Sequence, residues 1–333
     1  MGELALSPVG LLLATVMSIT NVMTDVARKH ALEKRDLIPA TFWIRVAVAV
    51  VFVIVLGARV IGGATVAIRE PLTFALYLVL DVALITGVMW LYFRALQISP
   101  MSLCIPFLAF TPVFLIPTGF VLLGEIPKPV KLVGVALIVT GSLVMHRRLF
   151  AEGWMAPVKA VIREKGSRYM LLVSFIFSIT NPLDKKLVVL SDVYIESVAY
   201  GLGLCVSFFL LGKIQRADFA SAARGNFKWI SLAALFDAVS LLFQLASYTY
   251  LAVVITVSIK RAGIVLSVFS GWLFFHERGI TDKVIAASVM FCGVLILYLP
   301  LTGLQTAALA LATIVAMAVA LYATREVTVE VQP

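Results

Sequence analysis

Apolar runs of about 20 residues succeed one another along this chain, each long enough as a helix to cross a ~30 Å hydrocarbon core. No soluble fold hides so many. Of 333 residues, 62% are hydrophobic and 14% charged, against about 25% charged in an ordinary soluble domain. The chain is therefore predicted to be an all-α polytopic membrane protein. A membrane β-barrel would instead alternate in segments of about ten residues. The opening MGELALSP has no Lys or Arg and its apolar run ends without a small-residue cleavage site, so it reads as a retained span and not a signal peptide. The net charge of +9 lies mostly in short loops, where it sets topology. No nucleic-acid partner is expected.

The spans are drawn at 7–27, 38–58, 73–96, 99–123 and 129–146, then 168–189, 193–213, 228–250, 251–275 and 281–299. An Ala-rich run from Leu304 to Tyr322 adds an eleventh. The charged connection from His146 to Arg168 divides the chain into a first repeat (1–148), a loop (149–167), a second repeat (168–299) and a C-terminal extension (300–333). Two internal matches cross that divide. SITN stands at Ser18–Asn21 and again at Ser178–Asn181. The 22 residues from Gly124 also align without gaps on those from His276, matching Glu125 to Glu277, Lys131 to Lys283 and Gly141 to Gly293. Five spans per half is odd, so the halves are expected to be inverted, as in many transporters. Arg28, Lys29, Lys34 and Arg35 load the first loop, and Lys213, Arg216, Arg224 and Lys228 the seventh. That distribution places the N-terminus outside.

LGE at Leu123–Glu125, GVALIVTG at Gly134–Gly141, the Pro-rich ALQISPMSLCIPFLAFTPVF and SIKRAGIVLSVFSGWLFFHE together resemble the drug/metabolite transporter superfamily, EamA type, over about residues 8–299. The resemblance implies ten helices in two inverted five-helix repeats. It also implies a cavity lined by spans 1–4 and 6–9, and a multi-pass protein of a bacterial inner (plasma) membrane. Bacterial members usually have both termini inside, which opposes the loop charges and leaves orientation open. The adjacent Lys260 and Arg261 resemble the basic pair of sugar-phosphate translocators. Those carry a further base on the fourth span, whereas Pro100 to Leu123 has no Lys or Arg. An anionic metabolite follows more readily than phosphate.

Counting 1.5 Å per residue puts Lys260, Asp237 and Asp81 each roughly 12–13 Å into their spans, near the midplane. Charges there are expensive and mark function by default. Lys260 and Arg261 are the candidate anion site, with Asp237 tuning the pair and Asp81 nearby. A closed network of paired charges needing no ligand is the plain alternative. Tyr92, Gln244, Tyr248, Asn21 and Asn181 are candidate substrate contacts, with packing as their alternative. Asp25, Asp184 and Lys185 are candidate gate residues at opposite ends of the spans. Interfacial snorkelling would also account for Arg28 and Lys29. Glu125 and Glu277, beside helix starts, read as structural. The prolines of span 4 and Gly263 and Gly271 of span 9 are candidate hinges.

No HExxH, GxSxG or phosphate-binding glycine loop occurs. Cys104, Cys205 and Cys292 lie in predicted spans without disulfide or metal spacing. Neither catalysis, nor a cofactor, nor a metal is expected. The partners expected are the lipid bilayer, a small-molecule metabolite, and either a coupling proton or a counter-substrate. A homodimer is left open. The sequence thus supports a secondary transporter for a small anionic or zwitterionic metabolite working by alternating access. A flippase for a lipid-linked phosphate carrier would use the same bases.

Overall fold

A computed structural model describes residues 7–32, 36–63, 65, 67–123, 132–144, 159, 163–220, 227–251, 253–276, 280–299 and 301–329. Glu125, Glu277, Lys34, Arg35, Arg224, His146 and most of the connecting loop lie outside them. Every described element is helical: α1 (Pro8–Leu32), α2 (Leu37–Ile61), α3 (Pro71–Ile98), α4 (Met101–Cys104), a 3-10 turn (Ile105–Phe110), α5 (Thr111–Leu123), α6 (Leu132–Val144), α7 (Lys165–Leu190), α8 (Val193–Ile214), α9 (Phe227–Tyr248), α10 (Val253–Ala262), α11 (Ile264–Phe275), α12 (Ile280–Tyr298) and α13 (Gly303–Val329). Among the described residues, seven helices are long and apolar enough to cross a membrane: α1, α2, α3, the run Met101–Leu122, α8, α9 and Gly303–Ala320 of α13.

Two expected spans are broken, and the residues explain why. In the fourth, Pro106 removes a backbone donor where α4 gives way to the 3-10 turn. In the ninth, α10 ends at Ala262 and α11 begins after Gly263, a residue that weakens a helix by about 1 kcal/mol against Ala.

The helices form two compact units, Met1–Gln97 with Ile176–Lys260, and Ile98–Phe175 with Arg261–Pro333. Each draws on both halves of the sequence. In the first unit α1 packs on α9, and α2 on both α8 and α9. Small residues allow the approach: Ala27 and Ala31 of α1 meet Ala233, Ala234 and Ala238 of α9 in one buried cluster with Ile44, Val48 and Phe52 of α2. Phe74 of α3 packs with Leu187 of α7 and Ile195 of α8. In the second unit α6 packs on α12, and α11 on α4 and the 3-10 turn.

The α6–α12 contact is reciprocal. A Cβ on Gly141 would lie 2.9 Å from the Ala286 carbonyl oxygen and 3.0 Å from the Met290 nitrogen. A Cβ on Gly293 would lie 2.6 Å from the Gly134 oxygen and 3.0 Å from the Ile138 nitrogen. These are the positions that the internal alignment pairs: Gly141 with Gly293, Gly134 with Ala286, Ile138 with Met290.

In the second unit Glu164 caps the start of α7. Its carboxylate accepts the backbone N–H of Gly166 at 3.1 Å, the N–H of Ser167 and the hydroxyl of Ser99. Partial burial works against its ionisation, but these donors outweigh burial and hold the carboxyl below its ordinary range.

Gly293→Val should overpack this contact and destabilise the protein by about 1–3 kcal/mol, read as a lower thermal-unfolding midpoint in detergent. Gly87→Ala, where nothing lies within 4 Å of a Cβ, should leave the midpoint unchanged or raise it. A depressed carboxyl contributes stability that is present above its unfolded pKa and lost as pH falls through the folded one. The stability advantage of the parent over Glu164→Gln should therefore shrink as pH falls below about 4.3, measured by denaturation at a series of pH values.

Candidate functional site

The buried polar groups of the first unit fall into distinct constellations. One ties four helices together. Asp237 of α9 accepts Arg28 of α1 at 2.6 Å through one oxygen and Arg45 of α2 through the other. Asp25 accepts the Tyr92 hydroxyl of α3 at 2.7 Å and lies 3.7 Å from the Arg28 guanidinium. Asn21 donates to Asp25 at 3.5 Å. Arg28 also rests over the Phe93 ring, 5.1 Å from its centroid. Arg45 is 2% exposed and Arg28 8%, so neither snorkels to an interface.

Asp237, expected to tune or release Lys260 and Arg261, instead meets two arginines from other helices, one at each oxygen. Tyr92 and Asn21 join the same network through Asp25. Arg45 was passed over in the sequence, although a charge inside LIPATFWIRVAVAV should have drawn the same attention as Lys260.

A second constellation gathers around Lys260. Its ammonium donates to the Gln244 carbonyl oxygen at 2.6 Å. The Gln244 amide donates to the Tyr248 hydroxyl at 2.9 Å and to the Asn181 oxygen at 3.3 Å, and Tyr248 donates to that oxygen at 3.0 Å. Asn181 donates in turn to the Phe177 carbonyl. Four of the nine candidate substrate contacts thus converge: Lys260, Gln244, Tyr248 and Asn181. The ring is held from α1 and α9, where Ser18 donates to the Lys260 carbonyl and Ser240 to that of Met17, each at 3.3 Å. Lys185 donates to the Leu251 carbonyl at 3.5 Å.

Arg261 takes another course. It is 4% exposed and donates to the Thr111 hydroxyl at 3.0 Å, a contact wholly inside the second unit. The adjacent bases therefore serve separate constellations, as side chains one residue apart on a helix diverge by about 100°. Both sit in the last turn of α10, where the helix dipole favours cations. Its end at Gly263 makes that turn a terminus.

Asp81 and Asp184 also meet. Both are buried, and the Lys260 ammonium is the cation acting on Asp184. Glu196 of α8, 1% exposed, lies within their field. Its position three residues into the span reads in sequence as an ordinary first-turn acid. Among the described residues no group of three or more His, Cys, Asp or Glu side chains is arranged to hold a metal ion.

Helices long and apolar enough to cross a membrane recur among the described residues, as in an integral multi-pass membrane protein. Residues 8–147 match the model of the EamA-like transporter family, within the segment where the likeness was expected. The matched stretch is the first part of the chain, and over it the chain is similar to this family. A solved crystal structure of another protein aligns with 85% of this chain and 96% of its own, with a TM-score of 0.59 and 16% identity, a likeness of fold alone. No curated protein matches the sequence.

Removing the shared acid should be severe. Asp237→Asn leaves two arginines buried without their carboxylate, and breaking such a network costs about 3–5 kcal/mol. Thermal unfolding in detergent should show the loss. Asp237→Asn combined with Arg45→Met should recover part of it, because one stranded cation is removed.

Proposed function

We propose that the protein is a secondary transporter for a small anionic or zwitterionic organic metabolite, working by alternating access in a bacterial inner membrane. Lys260 is its main substrate contact. The observation that carries this reading is the Lys260 ammonium donating to the Gln244 amide oxygen, beside a buried hydrogen-bonded group of Gln244, Tyr248 and Asn181. An ammonium among polar groups at membrane depth suits recognition of an anion. Asp184, within reach of the same ammonium, gives the site a negative side that suits a zwitterion. By contrast, Arg28 and Arg45 share the Asp237 carboxylate. We assign this network, with Asp25 and Tyr92, to a latch that must break and re-form between conformations.

The two-repeat architecture is part of the same proposal. It is supported by the reciprocal glycine contacts of α6 and α12 and by helix breaks in both the fourth and ninth spans. The first span packs on the eighth, and Phe74 of the third meets Leu187 of the sixth, the pair that exchange of the halves relates to it. Broken helices of this kind build the substrate sites of many transporters.

A thermal-shift panel of carboxylates, phosphates, amino acids and amines on the purified protein identifies the ligand class. Stabilisation by amines alone would overturn the reading. Preference for polyprenyl phosphate over soluble anions would redirect it to a lipid-carrier flippase. Lys260→Ala should weaken binding of the stabilising compound by about ten- to a hundredfold, the worth of one charged hydrogen bond of ~1.5–3 kcal/mol. It should abolish counterflow in proteoliposomes while the protein still folds. Unchanged counterflow would remove Lys260 from the site.

A further inference from the structure

Asp81 on α3, Asp184 on α7 and Glu196 on α8 are 0%, 6% and 1% exposed. Asp81 lies within hydrogen-bonding reach of Asp184, and Glu196 within the electrostatic field of both. Tyr200, one turn beyond Glu196, faces the same groups. The cations that face this cluster are Lys260 of α10, which acts on Asp184, and Arg45 and Arg28, which reach Tyr200 from α2 and α1. Arg45 and Arg28 are already engaged by Asp237.

Three carboxyl groups buried together at membrane depth, with Lys260 acting on Asp184 and both arginines already held by Asp237, cannot all stay ionised. The hydrogen-bond pattern independently points to what is missing. Neither oxygen of Asp81, nor Oε2 of Glu196, has a donor. A carboxylate facing a carboxylate has nothing to offer, but a carboxylic acid does. The described groups are not arranged to chelate a metal, whereas a proton needs only a pair of facing oxygens.

We propose that Asp81, Asp184 and Glu196 form a proton-holding site whose occupancy is set by Lys260. One carboxyl donates its O–H to the neighbouring carboxylate, and the Lys260 ammonium favours the ionised form of Asp184. An anion that takes this ammonium as its counter-ion withdraws it from Asp184. Asp184 then takes a proton from water on the side to which the site is open. Release of the anion restores the ammonium to Asp184 and expels the proton. One proton accompanies one negative charge, and no bond other than O–H forms or breaks. The coupling, though not the proton site, rests on the transporter reading above.

Infrared spectroscopy of the full-length protein in detergent tests the site through the C=O stretch of protonated carboxyls. At neutral pH the protein should show such a band, and it should disappear as pH is raised. Asp81→Asn should remove it, whereas Asp218→Asn, at an exposed position, should leave it. In Lys260→Gln the band should persist to higher pH, because the cation favouring the carboxylate is gone. Absence of the band from the parent protein would overturn the proposal even if every variant failed to fold. Loss of the band on adding sodium at constant pH would overturn it in favour of a metal cation. An unchanged titration in Lys260→Gln would overturn the link to Lys260. The band reads proton occupancy even in a protein that transports nothing. A parent protein with the band but no uptake of any panel compound would defeat the transporter reading and leave the proton site standing.

Discussion

A charge at membrane depth has no water to turn to, so its partner must come from the protein. In the first unit that requirement is met most completely at Asp237, which holds Arg28 and Arg45 at once. The interaction joins α1, α2 and α9, and through Asp25 and Tyr92 it reaches α3. Apolar packing alone cannot specify such an arrangement in lipid, because lipid tails satisfy leucine as well as another helix does. Alanine contacts let α1 and α9 approach, and the shared carboxylate selects one register among the many they would permit.

The buried bases are held in different ways. Arg28 and Arg45 share one carboxylate, whereas Lys260 donates to the Gln244 amide oxygen and acts on Asp184, although all three are basic residues inside apolar runs. The break at Gly263 contributes, since it makes Lys260 and Arg261 the closing turn of α10 instead of mid-helix residues.

Much of the architecture is legible in the residues. The apolar runs predict the helices, and the prolines of the fourth span mark its irregular centre. The 152-residue offset that pairs Gly141 with Gly293 anticipates the α6–α12 contact. The candidate site was legible only in part. Depth counting singled out polar residues inside the spans but not their partners. It placed Asp237 and Lys260 at equal depth on neighbouring spans, but depth carries no information about which face of a helix a side chain occupies. A difference of about 100° per residue sends Lys260 and Arg261 into different surroundings. Arg45 and Glu196 escaped because each looks ordinary in its own segment.

By itself the sequence determined that this chain crosses a membrane repeatedly, holds two internal sequence matches, and places charges inside its apolar runs. These are properties of composition and of spacing along one dimension. The tertiary structure decided which groups each charge meets. That outcome depends on the direction of each side chain and on residues from distant helices meeting in space. Asp237 lies nine residues from Ala246 and 192 from Arg45, yet the arginine is the contact that holds its carboxylate.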